Sequence, residues 1–289
     1  MTLAPAPTSL TRVACTSSEG CVGRDLLSRL VSPPARRPPT DDGLAGGLRA
    51  WLEDGIVGAG RLGQSGHSRG NEGCRLVVRG GTSARGAVRA GPSALSVQDL
   101  RACITRVIFR LNVVQDPPLQ PFEDALRALS ATEHGPELLH AVGRLRGREL
   151  AALRAFARAR AVSIASQWRP VPAAWMPRTA ERLRVPLDGG RVELRASADL
   201  VLGRPSGGEA RTCLLHVLDE RHSAAGAVRA GRARRERRAM ALAETLRSGA
   251  PPWRVATYDP ATGHLDCDDV GDTLLSAGVH DVLAALRQP

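Results

Sequence analysis

Two strand-like runs, residues 182–187 and 191–202, are separated by Asp188-Gly189-Gly190, and this arrangement constrains the fold more than any other feature of the chain. A short Asp-Gly-Gly connection between strand-like segments is a hairpin signal, because such turns need residues that tolerate positive φ. A Gly-rich turn over 203–209 leads to a third run, 212–218. A basic helix over 231–247, a strand over 253–258 and a final helix over 272–287 follow. The order is helix, three strands, helix, strand, helix. A strand that returns after a helix rejoins its sheet by a crossover, so the expected fold is α/β, with a central mixed sheet flanked by helices and preceded by a helical segment.

Three regions are expected along the 289 residues. Residues 1–95 are rich in Gly, Pro and Arg and read as partly disordered, with one short helix over 43–53 on which Leu44, Leu48, Trp51 and Leu52 share a face. The glycine density from 55 to 91 argues for loops, with residues 75–79 as an isolated strand. Residues 96–180 form a helical segment. Ser96 caps a helix through Leu111, Pro121 opens another through Leu129, and Pro136 opens a long one over 137–168 with a break near Gly147. Pro170, Pro172 and Pro177 end it, and residues 181–289 supply the core described above.

All 40 basic residues are Arg. With no Lys, the chain has no Schiff base, no phosphate-loop lysine and no lysine general base. A net charge of +11 favours a polyanionic partner, nucleic acid first. Eight aromatic residues, one of them Tyr, are too few for a binder that stacks single-stranded bases on aromatic platforms. Six scattered Cys residues include no C-x-x-C pair, which excludes a zinc knuckle and suits a reduced, cytoplasmic protein. Neither a signal-peptide pattern nor an apolar run of membrane-spanning length is present.

Two familiar signatures lack the context they need. Gly58-Ala59-Gly60-Arg61-Leu62-Gly63 fits G-x-G-x-x-G, but no acidic residue follows at ribose-binding distance and no helix is expected after it. Gly66-His67-Ser68-Arg69-Gly70 fits the hydrolase elbow without the strand and helix that expose its serine. Asp266-Cys267-Asp268-Asp269 reads as a solvated turn rather than a cation loop.

The residues that could carry chemistry are Asp199, at the end of the second strand, and Asp219 with Arg221, just past the third. Strand alternation points Asp219 and Arg221 to one side, with His216 and Glu220 on the other, and pairing of the two strands brings Asp199 beside Asp219. Two carboxylates on adjacent strands can hold Mg²⁺ or Mn²⁺, which polarises a phosphate and activates water. Each residue also has a plain role open to it: Asp199 as a turn acceptor, Asp219 and Arg221 as a surface pair, His216 as a core or interface residue.

The arrangement resembles the PD-(D/E)XK nuclease superfamily, in particular its RecB-like branch and an actinobacterial group placed with it. Asp199 matches the family's first acidic motif, and Asp219-Glu220-Arg221 matches its acid-x-Lys motif with Arg in place of Lys. The element order is similar to the family core, and residues 175–178, 243–247 and 251–258 look like the same group. The resemblance covers about residues 135–289 and implies a restriction-endonuclease-like core over 181–289 with Asp199 and Asp219 as metal ligands and Arg221 stabilising developing charge. Met240 and Glu236 stand where RecB-like enzymes carry Tyr and Gln, and the family's further acid has Glu137 and Glu149 as candidates. Arginine stabilises charge but cannot take up a proton at neutral pH.

Seven Arg and one Glu lie between residues 221 and 240, and the one-signed run suits phosphate contacts by Arg229, Arg232, Arg234, Arg235, Arg237 and Arg238. The expected function is divalent-metal-dependent hydrolysis of DNA phosphodiesters. The alternative is a catalytically inactive nuclease-fold protein that binds nucleic acid or a partner. DNA is the expected partner, with RNA also open, and no membrane association is expected.

Overall fold

The computed structural model describes residues 26–31, 43–63, 76–79, 95–114, 118–132, 135–203, 205–206, 209–210, 212–218 and 226–287. In chain order the elements are α1 (Leu26–Val31), α2 (Leu44–Gly63), β1 (Leu76–Arg79), α3 (Val97–Val114), α4 (Pro121–Ser130), α5 (Gly135–Arg144) and α6 (Gly147–Gln167). Next come β2 (Arg178–Leu187), β3 (Val192–Leu202), β4 (Pro205–Ser206), β5 (Glu209–Ala210), β6 (Cys213–Val217), α7 (Gly226–Ser248), β7 (Arg254–Asp259), β8 (His264–Asp269) and α8 (Asp272–Arg287).

The sheet is mixed and open, ordered β1-β3-β6-β7-β8, with β2 on the other edge of β3. β2 runs antiparallel to β3 across the expected hairpin, whose turn residues Asp188, Gly189 and Gly190 all have positive φ, 47°, 61° and 89°. β6 pairs antiparallel with the end of β3 and parallel with β7, the crossover between them being α7. Two apolar cores result. Helices α1 and α3 to α6 pack on one face, around Phe109, Trp168 and Tyr258, whose ring centroids lie 5.2–5.6 Å apart. Helices α2, α7 and α8 cover the other face, against Val185, Leu194, Leu214 and Val255.

Several expectations change. The helix begun at residue 44 continues to Gly63, so the G-x-G-x-x-G stretch lies inside α2 rather than in the loops expected from residue 55. β1 is not isolated: it lies parallel to β3, with Leu76 opposite Val192 and Arg79 opposite Arg195. The acidic run at 266–269 is strand β8 and not a solvated turn, because Arg254 and Arg237 supply its carboxylates with partners. The break expected near Gly147 separates α5 from α6, and α3 begins on a capping box in which Ser96 and Asp99 exchange side-chain-to-backbone hydrogen bonds at 2.9 and 3.1 Å. Residues 64–75, with the Gly66–Gly70 stretch, lie outside the described residues.

Candidate functional site

The central residue is positioned by a fault in strand alternation. β2 and β3 pair with one register from Arg178↔Val201 to Leu187↔Val192, except at Ala180 and Asp199, which are not paired. Ala180 there has a φ of 59°, outside the extended region of an L residue, so the strand is locally broken. Before the break Leu194 and Ala198 face the α2–α7–α8 core; after it Leu200 and Leu202 face the α3–α6 bundle. Asp199 sits at the reversal, where groups from both layers reach it.

Asp199 is 2% exposed and fully engaged. Its Oδ1 accepts from Nε and Nη2 of Arg110, at 3.0 and 2.5 Å, and its Oδ2 accepts from the Val217 backbone N–H at 2.8 Å. Arg106 lies one helical turn before Arg110 on α3; its Nε donates to the Val217 carbonyl at 3.3 Å and stands 4.0 Å from Asp199 Oδ2. An Arg106 Nη2 proton points at His216 Nε2, 3.2 Å away. Since guanidinium only donates, Nε2 is the acceptor and the ring proton resides on Nδ1, which lies 3.4 Å from Asp199 Oδ2. Glu236 on α7 is buried beside this group, with Arg232 Nε 3.9 Å from its Oε1.

Charges in this cluster are strongly coupled. Burial opposes charge on Asp199, but the guanidiniums of Arg110 and then Arg106 outweigh it and hold the carboxyl below its ordinary 3.8. Burial, with Arg106 alongside, lowers His216 to about 4 against the pull of Asp199, so the ring is neutral at pH 7. Burial raises Glu236 to about 7 in spite of Arg232 and Arg106.

The cluster gathers Asp199 and His216 with Arg106 and Arg110, which the sequence did not single out, and with Glu236, noted only as standing where RecB-like enzymes carry Gln. Arg106 and Arg110 share an i, i+4 face of a helix that is otherwise buried almost all round, and two cations on such a face are the one signal that points to a buried anion. His216, expected on the side away from Asp219, faces Asp199, one position beyond the last registered β3–β6 pair, Leu200↔Leu215. Asp219 and Arg221 lie outside the described residues, as does the side chain of Arg229. Glu137 and Glu149 are exposed on α5 and α6.

The arginines of α7 divide into two sets. Arg234 and Arg235 are exposed, and Arg232 is partly so. Arg237 and Arg238, expected among the phosphate contacts, are instead spent within the fold. Arg237 is buried, with Nε on Asp268 Oδ2 at 2.5 Å and Nη1 on Thr257 Oγ1 at 2.7 Å, and Arg238 Nη1 binds Asp281 of α8 at 3.1 Å.

The described residues do not fit a divalent cation at Asp199. Both of its oxygens already accept strong donors, and two guanidiniums within 4.0 Å repel added positive charge. Among the described residues no group of three His, Cys, Asp or Glu is arranged to hold a metal ion. Among them, too, no helix is long and apolar enough to cross a membrane. No protein-family model, curated protein or solved structure matches the chain.

Proposed function

We propose that this chain is a nuclease-fold protein that binds nucleic acid through arginine and neutralises Asp199 with a guanidinium rather than a metal ion. The observation that carries this reading is the pair of hydrogen bonds from Arg110 to Asp199, which fills the place where the PD-(D/E)XK resemblance expects a cation. The order α6, β2, β3, β6, α7, β7 supports a restriction-endonuclease-like core. The exposed arginines of α7 beside the cluster supply a phosphate-binding surface. Cys213 is a buried free thiol, in keeping with a reduced cytoplasmic setting.

One observation favours the metal-dependent nuclease. Val217, whose N–H binds Asp199, ends β6 two residues before Asp219 in the sequence. That reading requires Mg²⁺ or Mn²⁺ in place of Arg110 at Asp199, with Asp219 as its second ligand.

Titration of duplex DNA into the full chain in a chelating buffer separates the two. Salt-sensitive binding should persist without divalent metal, and Arg235→Gln should weaken it and flatten the dependence of log K on log salt by about one. Arg237→Gln should instead lower unfolding stability, by about 2 kcal/mol for lost charge-assisted hydrogen bonds. Absence of binding at low salt, or Mg²⁺-dependent cleavage abolished by Asp199→Ala, would overturn the proposal.

A further inference from the structure

A second basic surface lies on the sheet itself. Arg184 of β2 stands directly opposite Arg195 of β3, and Arg79 of β1 occupies the register position on the other side of Arg195. Three neighbouring strands therefore carry arginine in a single rung, with strands ~4.8 Å apart. Arg182, one step along β2, pairs in register with Ser197 and is exposed. Arg184 is also exposed and has no carboxylate partner among the described residues, while Arg195 shares the buried Glu193 at 2.5 Å through Nη2.

Arg184 and Arg195 are like charges directly opposite one another on a sheet face, an unfavourable cross-strand pair. Such a rung is relieved when an anion bridges it, and arginine can bridge to phosphate through two parallel donors. Along β3, Arg195, Ser197 and Asp199 follow in two-residue steps, so the rung lies ~13 Å from the Asp199 cluster with its partly exposed Arg106 and Arg110. Val185 and Leu194 face the α2–α7–α8 core, so their neighbours Arg184 and Arg195 point to the opposite face of the sheet, the one against which α3 with Arg106 and Arg110 packs. β1, β2 and β3 contain no aromatic residue to stack a bare base, so the surface reads phosphate and not sequence.

We infer that the exposed arginine rung of β2 and β3, centred on Arg184 and Arg195, is a docking surface for the phosphate backbone of duplex DNA that extends the Asp199 cluster along the sheet. The inference rests on the nucleic-acid reading above and adds to it a place on the molecule. The backbone phosphates would lie across the strands, with Arg184 and Arg195 as donors to neighbouring phosphate oxygens.

Two measurements on the full chain test it. In the first, a fluorescent duplex is titrated over a salt series against wild type, Arg184→Gln and Arg235→Gln. Arg184→Gln should bind several-fold more weakly at low salt, and its log K against log salt should flatten by about one. In the second, wild type is treated with phenylglyoxal with and without duplex, and modified peptides are identified by mass spectrometry; DNA should protect Arg184. Wild-type affinity and slope in Arg184→Gln, with Arg184 unprotected while Arg235 is protected, would overturn this surface and leave the general nucleic-acid reading standing. No binding by wild type at low salt would overturn both.

Discussion

Replacing Arg110 by Met should cost about 3 kcal/mol of unfolding stability, the low end for removing one partner of a buried ion pair because Arg110 is 24% exposed. The loss arises less from the attraction itself than from what is left behind. Asp199, buried in wild type, would keep only the Val217 N–H, the Arg106 guanidinium 4.0 Å away and, at 3.4 Å, a neutral imidazole. The acid dependence should become shallower. In wild type the carboxyl is held below its ordinary 3.8, so its stabilisation is present above that value and is lost as pH falls through the lower folded value. Without Arg110 the carboxyl loses the stronger of the two guanidiniums that hold it down, so less stability should be lost on acidification in the variant than in wild type. Adding Asp199→Asn removes the stranded charge and should restore much of the loss, a non-additivity that equilibrium urea unfolding of the two single variants and the double variant would measure. Additive losses would mean that Arg110 and Asp199 are not coupled.

A second large effect is hidden in wild type by two opposed titrations. Glu236 moves from 4.5 to about 7, so the folded state holds its proton more tightly. Its contribution is complete below pH 4.5 and is lost as pH rises to about 7, an effect of roughly 3 kcal/mol. His216 moves from 6.5 down to about 4, so its contribution is complete above pH 6.5 and is lost as pH falls to about 4, by a similar amount. Between pH 4.5 and 6.5 the two slopes cancel, and wild-type stability should vary little there on their account. Glu236→Gln should expose the histidine slope, with stability falling as pH drops below 6.5. His216→Asn should expose the opposite slope, with stability falling as pH rises from 4.5. Unfolding midpoints of the three proteins across this range decide it; parallel profiles would show that neither group titrates as its surroundings require.

The parts of the fold legible in the sequence are those specified locally. The Asp-Gly-Gly hairpin, the Ser96–Asp99 capping box, the break at Gly147 and the final helix from Asp272 to Arg287 all depend on neighbours in the chain. β8 was not legible because His264–Asp269 is polar by composition; its acids make sense only opposite Arg254 of β7 and Arg237 of α7. The same limit applies to the site. Asp199 stands out as an acid at a strand end, but its partners Arg106 and Arg110 come from a helix 89 residues away for the closer contact, a distance no local spacing encodes. Asp199 also lies where alternation fails, opposite the positive-φ Ala180, so a period-two reading of the strand cannot say which way it points. The arginines of α7 show the converse. A one-signed run looks like a single surface, yet Arg237 and Arg238 turn inward because β8 and α8 place Asp268 and Asp281 against that side of the helix.

The chain's lack of Lys bears directly on this site. An arginine cannot give up its proton near neutral pH, so the cations around Asp199 stay charged over the whole physiological range. They neutralise the carboxylate and retain surplus donors for an anion, which suits binding and does not suit proton transfer.

The most direct test of whether a guanidinium rather than a metal ion balances Asp199 is the thermal unfolding midpoint of the full chain with Mn²⁺ against the same protein in a chelator. A ligand that binds only the folded state raises its stability by mass action, so occupancy at Asp199 would register without any assay of activity. With Arg110 in place on Asp199, the midpoint should be the same in both conditions. A rise with Mn²⁺ that disappears in Asp199→Asn would contradict the account and return the site to metal-dependent chemistry.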